Sequence, residues 1–261
     1  MTRCFKATLE YDGTEFRGFQ WQHGERTVQS ELEKAIAQRT GQTVRVTGAG
    51  RTDAGVHALG QVASFAAETR IPIERMAPAL NSALPADISI RSVEEAAPDF
   101  SARFKASSRV YAYLLVHGRQ PSALWRRFAG YTSKRLDAEA MQAAADLLIG
   151  EQDFAAFTNV LQPDEPTYRD VMRCRVTGWR GMILVRIEAN AFLRGMVRNI
   201  VGTLVEVGAG SYPPERVKAI QATRNRQMAG PSAAPQGLCL IKVRYGERKT
   251  YARREITEGT L

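Results

Sequence analysis

Along residues 5–11 the apolar side chains Phe5, Ala7, Leu9 and Tyr11 alternate with Lys6, Thr8 and Glu10. A period of two predicts a strand, and Asp12-Gly13 marks its end. Thr27 is placed to cap a helix on which Val28, Leu32, Ala35 and Ile36 recur at helical spacing, with Gly41 closing it. TVRVT at 43–47 and QVASFA at 61–66 read as strands on either side of a glycine-rich loop. Ile73, Met76, Ala77 and Leu80 outline a second helix, interrupted by Pro78, and ISIRSV at 88–93 is a further strand.

The second half repeats this order. In residues 108–117, Val110, Ala112, Leu114 and Val116 alternate with Tyr111, Tyr113 and Leu115. Asp137 opens a helix carrying Met141, Ala145 and Leu148, strands follow near 171–178 and 183–189, and a helix near 193–207 carries Met196, Ile200 and Leu204. A short helix near 214–224 precedes a last strand, LCLIKVRY, at 238–245. Each half is β-α-β-β-α-β, the ferredoxin-like order. The expected fold class is therefore α+β: two tandem ferredoxin-like (βαββαβ) units with their antiparallel sheets side by side and a central cleft. The expected boundaries are 1–105 for an N-terminal domain carrying the glycine loop, 106–246 for a C-terminal domain, and 247–261 for a charged tail.

Composition narrows the class of protein. The 261 residues are 44% apolar and 24% charged, ordinary for a globular chain. Cys4, Cys174 and Cys239 are scattered, as are His23, His57 and His117, so neither a disulfide framework nor a metal centre is expected. The N-terminus lacks a signal-peptide core and no run of 18 apolar residues occurs. A cytoplasmic protein without a membrane partner is the expectation.

Charge adds a partner. Lys and Arg number 36 against 27 Asp and Glu, a net charge of +9, which favours an anionic ligand such as nucleic acid. Between Asp99 and Asp137 no acidic residue occurs, while Arg103, Lys105, Arg109, Arg119, Arg126, Arg127, Lys134 and Arg135 do. Phe104, Tyr111, Tyr113, Trp125, Phe128 and Tyr131 are interleaved with them. Cations suit a phosphate backbone and aromatic faces suit bases, although Tyr113 and Phe104 read better as core. The RNA-recognition signature of the ferredoxin-like fold is absent, since the matching strand reads GQVASFA.

The chemistry centres on GAGRTDAGVHA at 48–58. It is not a dinucleotide fingerprint, because Asp53 stands where the third glycine belongs, and it lacks the GK[ST] of a phosphate loop. It supplies one carboxylate where aspartic proteases and most glycosidases need two. An isolated loop aspartate ordinarily makes an Asx-turn or a cap. Here, however, Arg51 and Asp53 stand among Gly and Ala that cannot shield them. ANAFLRGMVRNIVG at 189–202 also puts Arg194 and Arg198 on a helix that otherwise reads as core. A buried arginine needs a partner, and an arginine partner favours the ionised form of a carboxylate. A lone, charged, accessible carboxylate is suited to nucleophilic attack.

GAGRTDAGVHA, SRVYAY, ANAFLRGMVRNIVG and APQGLCLIKVRY together closely resemble tRNA pseudouridine synthases of the TruA type, a likeness running from YDGTEFRGFQWQ at 11–22 to about Tyr245. The resemblance implies a cofactor-free, metal-free isomerase that converts uridine to pseudouridine at positions 38, 39 and 40 in the anticodon stem-loop of tRNA. It implies that Asp53 is the catalytic nucleophile, that Tyr111 stacks on the target uracil, that Arg51 displaces the target nucleotide and that Arg198 pairs with Asp53. It also implies a homodimer with one tRNA touching both subunits. Arg109, Arg126 and Arg127 are the candidate RNA contacts of the basic stretch. His57 reads as a structural hydrogen bond steadying the loop, and Phe16, Phe19 and Trp21 as packing or rim residues. The alternative is a non-catalytic RNA-binding protein on the same scaffold. A metal-dependent hydrolase built on Asp53 is disfavoured by the lack of ligand-spaced residues.

Overall fold

The computed structural model describes residues 2–160 and 166–246, so the charged tail expected at 247–261 lies outside the described residues. In chain order the elements are β1 (Thr2–Tyr11), α1 (Val28–Thr40), β2 (Thr47–Gly48), β3 (His57–Glu68), α2 (Ile73–Asn81) and β4 (Ile88–Ala96). They continue with β5 (Ala106–His117), β6 (Gly130–Thr132), α3 (Ala138–Asp146), β7 (Gly150–Asp153), β8 (Tyr168–Trp179) and β9 (Met182–Ala189). Then come α4 (Met196–Gly208), α5 (Arg216–Thr223) and β10 (Leu238–Tyr245). The fold is α+β, with five α-helices among the described residues.

Local chemistry explains most of these boundaries. The Thr27 hydroxyl accepts from the Ser30 N–H while the Ser30 hydroxyl accepts from the Thr27 N–H, a reciprocal cap for α1. Gly41 ends that helix at φ 74°, where a side chain would be strained. Asp137 caps α3 through the N–H groups of Glu139 and Ala140. Pro78 sits inside α2, which persists because Met76 and Leu80 are fully buried beneath it. The strand expected at 43–47 shrinks to Thr47–Gly48. Backbone groups in that region bond to side chains instead of a ladder: the Val46 N–H donates to the Glu33 carboxylate, and the Glu68 N–H to the Gln42 amide. The short strands β6 and β7, with little apolar alternation, went unpredicted.

The expected pair of separate sheets is in fact one mixed sheet of ten strands, in the order β4-β1-β3-β10-β5-β9-β8-β7, with β2 on β3 and β6 on β5. The first half contributes β4-β1-β3-β2 and the second β10-β5-β9-β8, each with antiparallel neighbours. The halves join where β10 runs parallel to β3, pairing Cys239 with His57 and Leu240 with Ala58. Gly60 permits this approach, since a Cβ there would overlap the Ile241 carbonyl. On β5 the face bearing Tyr111, Tyr113 and Leu115 joins the core. Among the described residues no helix is long and apolar enough to cross a membrane.

A second close approach ties the segment before β10 to α4. A Cβ on Gly202 would overlap the Pro231 carbonyl, and the Gly230 N–H donates to the Thr203 hydroxyl (3.0 Å). Gly202→Ala is therefore expected to lower stability by about 2–4 kcal/mol through overpacking against backbone, read as a lower urea midpoint at unchanged slope.

Candidate active site

The loop between β2 and β3 is held from below and left open above. The Ala49 N–H donates to the Val62 carbonyl (2.7 Å) and the Phe19 N–H to the Thr52 carbonyl (3.0 Å). The buried Thr52 hydroxyl lies 2.8 Å from the Tyr11 hydroxyl, and the Gln61 amide donates to the Gly50 carbonyl (2.8 Å). Gly18, at φ 97°, lets the chain beneath reach Thr52, whose carbonyl a Cβ would crowd. With Thr52 anchored inward, its neighbours stand outward. Arg51 is exposed and has no partner among the described residues, and the Asp53 side chain is 32% exposed.

Asp53 meets Arg198 from α4, with Nη1 3.4 Å from Oδ2. The Arg198 Nε donates to the Ala233 carbonyl (2.7 Å), and the Ala233 N–H returns a bond to the Arg198 carbonyl (3.0 Å). The guanidinium is thus aimed by the segment that crosses α4 at Gly202. Arg226 braces the same segment, donating to the Gly230 carbonyl (2.9 Å) and to the fully buried Asn199 (3.0 Å). One long contact to Arg198 leaves the other Asp53 oxygen without a protein donor among the described residues, so the carboxylate is oriented yet available.

Tyr111 lies on β5 near Asp53, 7% exposed, with Phe192 edge-on to its ring at 5.2 Å. Its hydroxyl would meet a Cβ on Gly50 at 3.7 Å, an ordinary contact. Burial first, then the neighbouring Tyr11 and Asp53, push the Tyr111 phenol above its ordinary value, so the ring is neutral at physiological pH. Tyr113, also from β5, is core, its hydroxyl bonded to the Ala234 carbonyl (2.9 Å).

The remaining residues divide. Arg109 does not stand on the surface: it is buried and bonded to backbone carbonyls, one of them Ala49 at the head of the loop. Arg126 is exposed without a partner among the described residues, whereas Arg127 lies 3.1 Å from Asp12. The counter-charges missing from the basic stretch come from outside it, since Lys105 pairs with Asp99 and Lys134 with Glu206. Phe104, expected in the core, is 80% exposed, and Trp125, Phe128 and Tyr131 are also exposed. Arg194, expected on the helix, lies just before α4, is exposed and makes no ion pair with Asp53. His57 is buried, its Nδ1 accepting from the Gly13 N–H (3.0 Å) beside Asp12 (3.2 Å). Phe16 and Phe19 are core and Trp21 is exposed. Among the described residues no group of three His, Cys, Asp or Glu side chains is placed to hold a metal ion.

Sequence reasoning missed the supports: Tyr11, Thr52 and Gln61 below the loop, and Asn199, Arg226 and the Ala233 carbonyl behind Arg198. Gln61 and Asn199 carried a signal, as polar residues in otherwise apolar stretches that demand hydrogen-bond partners when buried.

A family model described as tRNA pseudouridine synthase matches residues 7–105 and 144–246. A tRNA pseudouridine synthase A of Syntrophomonas wolfei is 43% identical over 242 residues, 93% of this chain and 97% of that one. Others, from Moorella thermoacetica and a Roseiflexus species, are 44% and 45% identical over 93% and 94% of this chain and 99% and 91% of their own lengths.

Because the Asp53–Arg198 pair is half-open, its geometry is worth more than its energy. Arg198→Met is expected to cost only about 1 kcal/mol in urea unfolding, mostly from the unpaired Ala233 carbonyl and Asp53. A loss of several kcal/mol would make the pair a structural bond.

Proposed function

The chain belongs to the tRNA pseudouridine synthase family, and from that footing we propose how its site works. The protein is an isomerase that converts uridine to pseudouridine in tRNA. Our reading is that it acts at positions 38, 39 and 40 of the anticodon stem-loop, in the cytoplasm and as a homodimer, with Asp53 as its nucleophile. We also read the two halves, 1–105 and 106–246, as tandem ferredoxin-like units with the site in the cleft between them. The shared strand order of the halves supports this.

The observation that carries the mechanism is the pairing of a partly exposed Asp53 with Arg198, close enough to Tyr111 for the carboxylate to act on its phenol. The reaction breaks the N1–C1′ bond of uridine, turns the base and joins C5 to C1′, with the C5 proton released and one gained at N1. All heavy atoms of the base and sugar are retained, so the site must hold a detached uracil and exclude water. The target base first leaves its stack, at a cost of a few kcal/mol. Arg51, exposed and unpartnered among the described residues, stands ready to fill the vacancy or take the flanking phosphate. Tyr111, 7% exposed in this structure, would give a neutral aromatic surface once its ring is uncovered, and stacking on it would return about 1–3 kcal/mol. Asp53, oriented by Arg198, then attacks. The Gly and Ala around it leave room for the nucleotide backbone.

Release of tritium from tRNA labelled with [5-³H]uridine measures the reaction. Wild-type protein should release it, while Asp53→Asn and Asp53→Ala should be slower by at least about a thousand-fold with tRNA affinity little changed. Equal release from all three would remove Asp53 from this role, and none from the wild type would leave an RNA-binding protein. Arg126→Glu should flatten the salt dependence of tRNA binding by about 0.7–0.9 in log–log slope, and Arg127→Glu by less, because Arg127 already pairs with Asp12. An unchanged slope for Arg126→Glu would place the RNA elsewhere.

A further inference from the structure

Arg109 presents five N–H donors, and all five are spent on backbone carbonyls. Nε and Nη2 both donate to Ala49 (3.1 and 2.8 Å), Nη2 to Arg103 (2.7 Å), and Nη1 to Asn190 (2.8 Å) and Ala106 (3.3 Å). No carboxylate pairs with it among the described residues. A buried cation in such a setting is costly unless its geometry is used, and burial pulls this guanidinium below its ordinary value without discharging it.

The carbonyls it gathers belong to three separate segments. Ala49 opens the loop that carries Asp53 four residues later. Arg103 lies in the link from β4 into β5, and Ala106 opens β5. Asn190 begins the turn from β9 into α4, which carries Arg198. Arg109 itself sits two residues before Tyr111 on the same face of β5. One planar, rigid side chain thus fixes the approaches to the carboxylate, to its arginine partner and to the tyrosine two residues along β5, and no donor remains for a phosphate.

We infer that Arg109 is a positioning residue: it sets the distance between Asp53 and Arg198 by clamping the loop of one half to the β9–α4 turn of the other. The inference rests on the reading of Asp53 as the reacting carboxylate. It assigns Arg109 to the rate of the chemical step, not to tRNA binding. Lysine in its place keeps the charge but loses the fork, so it cannot substitute.

The test uses Arg109→Lys and Arg109→Gln in the full chain. Both should lower kcat about 10- to 100-fold, the penalty of a small misplacement, with KM for tRNA and the salt slope of binding at wild-type values. Amide hydrogen exchange at 49–56 and 190–195 should quicken in both, with the outer strands unchanged. A kcat near wild type in Arg109→Lys would overturn the inference, because charge alone would then suffice. A raised KM with a flattened salt slope would overturn it in favour of a phosphate contact. Unfolding of both variants at the assay temperature would overturn it by making Arg109 a residue of the whole fold. Should the wild type prove inactive on tRNA, the exchange measurement still decides: faster exchange confined to the two segments upholds the clamp, and unchanged exchange refutes it.

Discussion

The contact between Asp53 and Arg198 joins two parts of the chain 145 residues apart, one on a loop of the first half and one on a helix of the second. Neither half can supply the site alone. For that contact to exist the halves must hold a fixed relation, and within the second half the guanidinium must be aimed. Below, β10 leaves the second half to pair with β3 of the first. Above, the segment before β10 crosses α4 at Gly202 and offers the Ala233 carbonyl that aims Arg198. The strand that welds the sheet and the carbonyl that aims the guanidinium therefore belong to one stretch, 229–245.

The loop bearing Asp53 is stiff for a physical reason. A Gly- and Ala-rich segment has much conformational entropy to lose. Thr52, Gly50 and Ala49 are each tied down, by Tyr11, Gln61 and Arg109 respectively. With these three groups anchored, the backbone that carries Arg51 and Asp53 keeps little freedom of its own. That is preorganisation, the condition for a carboxylate to act on a reacting centre without first paying to find it.

Much of this was readable from residue order. The alternation in β1 and β5, the caps at Thr27 and Asp137, and the apolar stripes of α1 and α4 report burial directly, and burial is what side-chain period records. That an arginine of the 189–202 stretch partners Asp53 was inferable because an arginine among apolar helical residues needs an anion, while the choice of Arg198 over Arg194 came from the family resemblance. The parts that escaped depend on backbone. TVRVT has strand chemistry, yet Glu33 and Gln42 take the hydrogen bonds a neighbouring strand would have taken. Arg109 looked like one cation among eight because its carbonyl partners leave no mark in a sequence. Phe104 looked like core because its aromatic ring says nothing about which way the β4–β5 link turns.

The central claim is that this ion-paired carboxylate touches a uridine turned out of its stem. A structure of the Asp53→Asn protein bound to an anticodon-arm RNA tests it most directly. The account expects the target uridine everted over Tyr111, with its C1′ within van der Waals reach of the side chain at position 53 and Arg51 beside the vacated stack. RNA seated on another face, with that uridine still stacked and position 53 untouched, would contradict it.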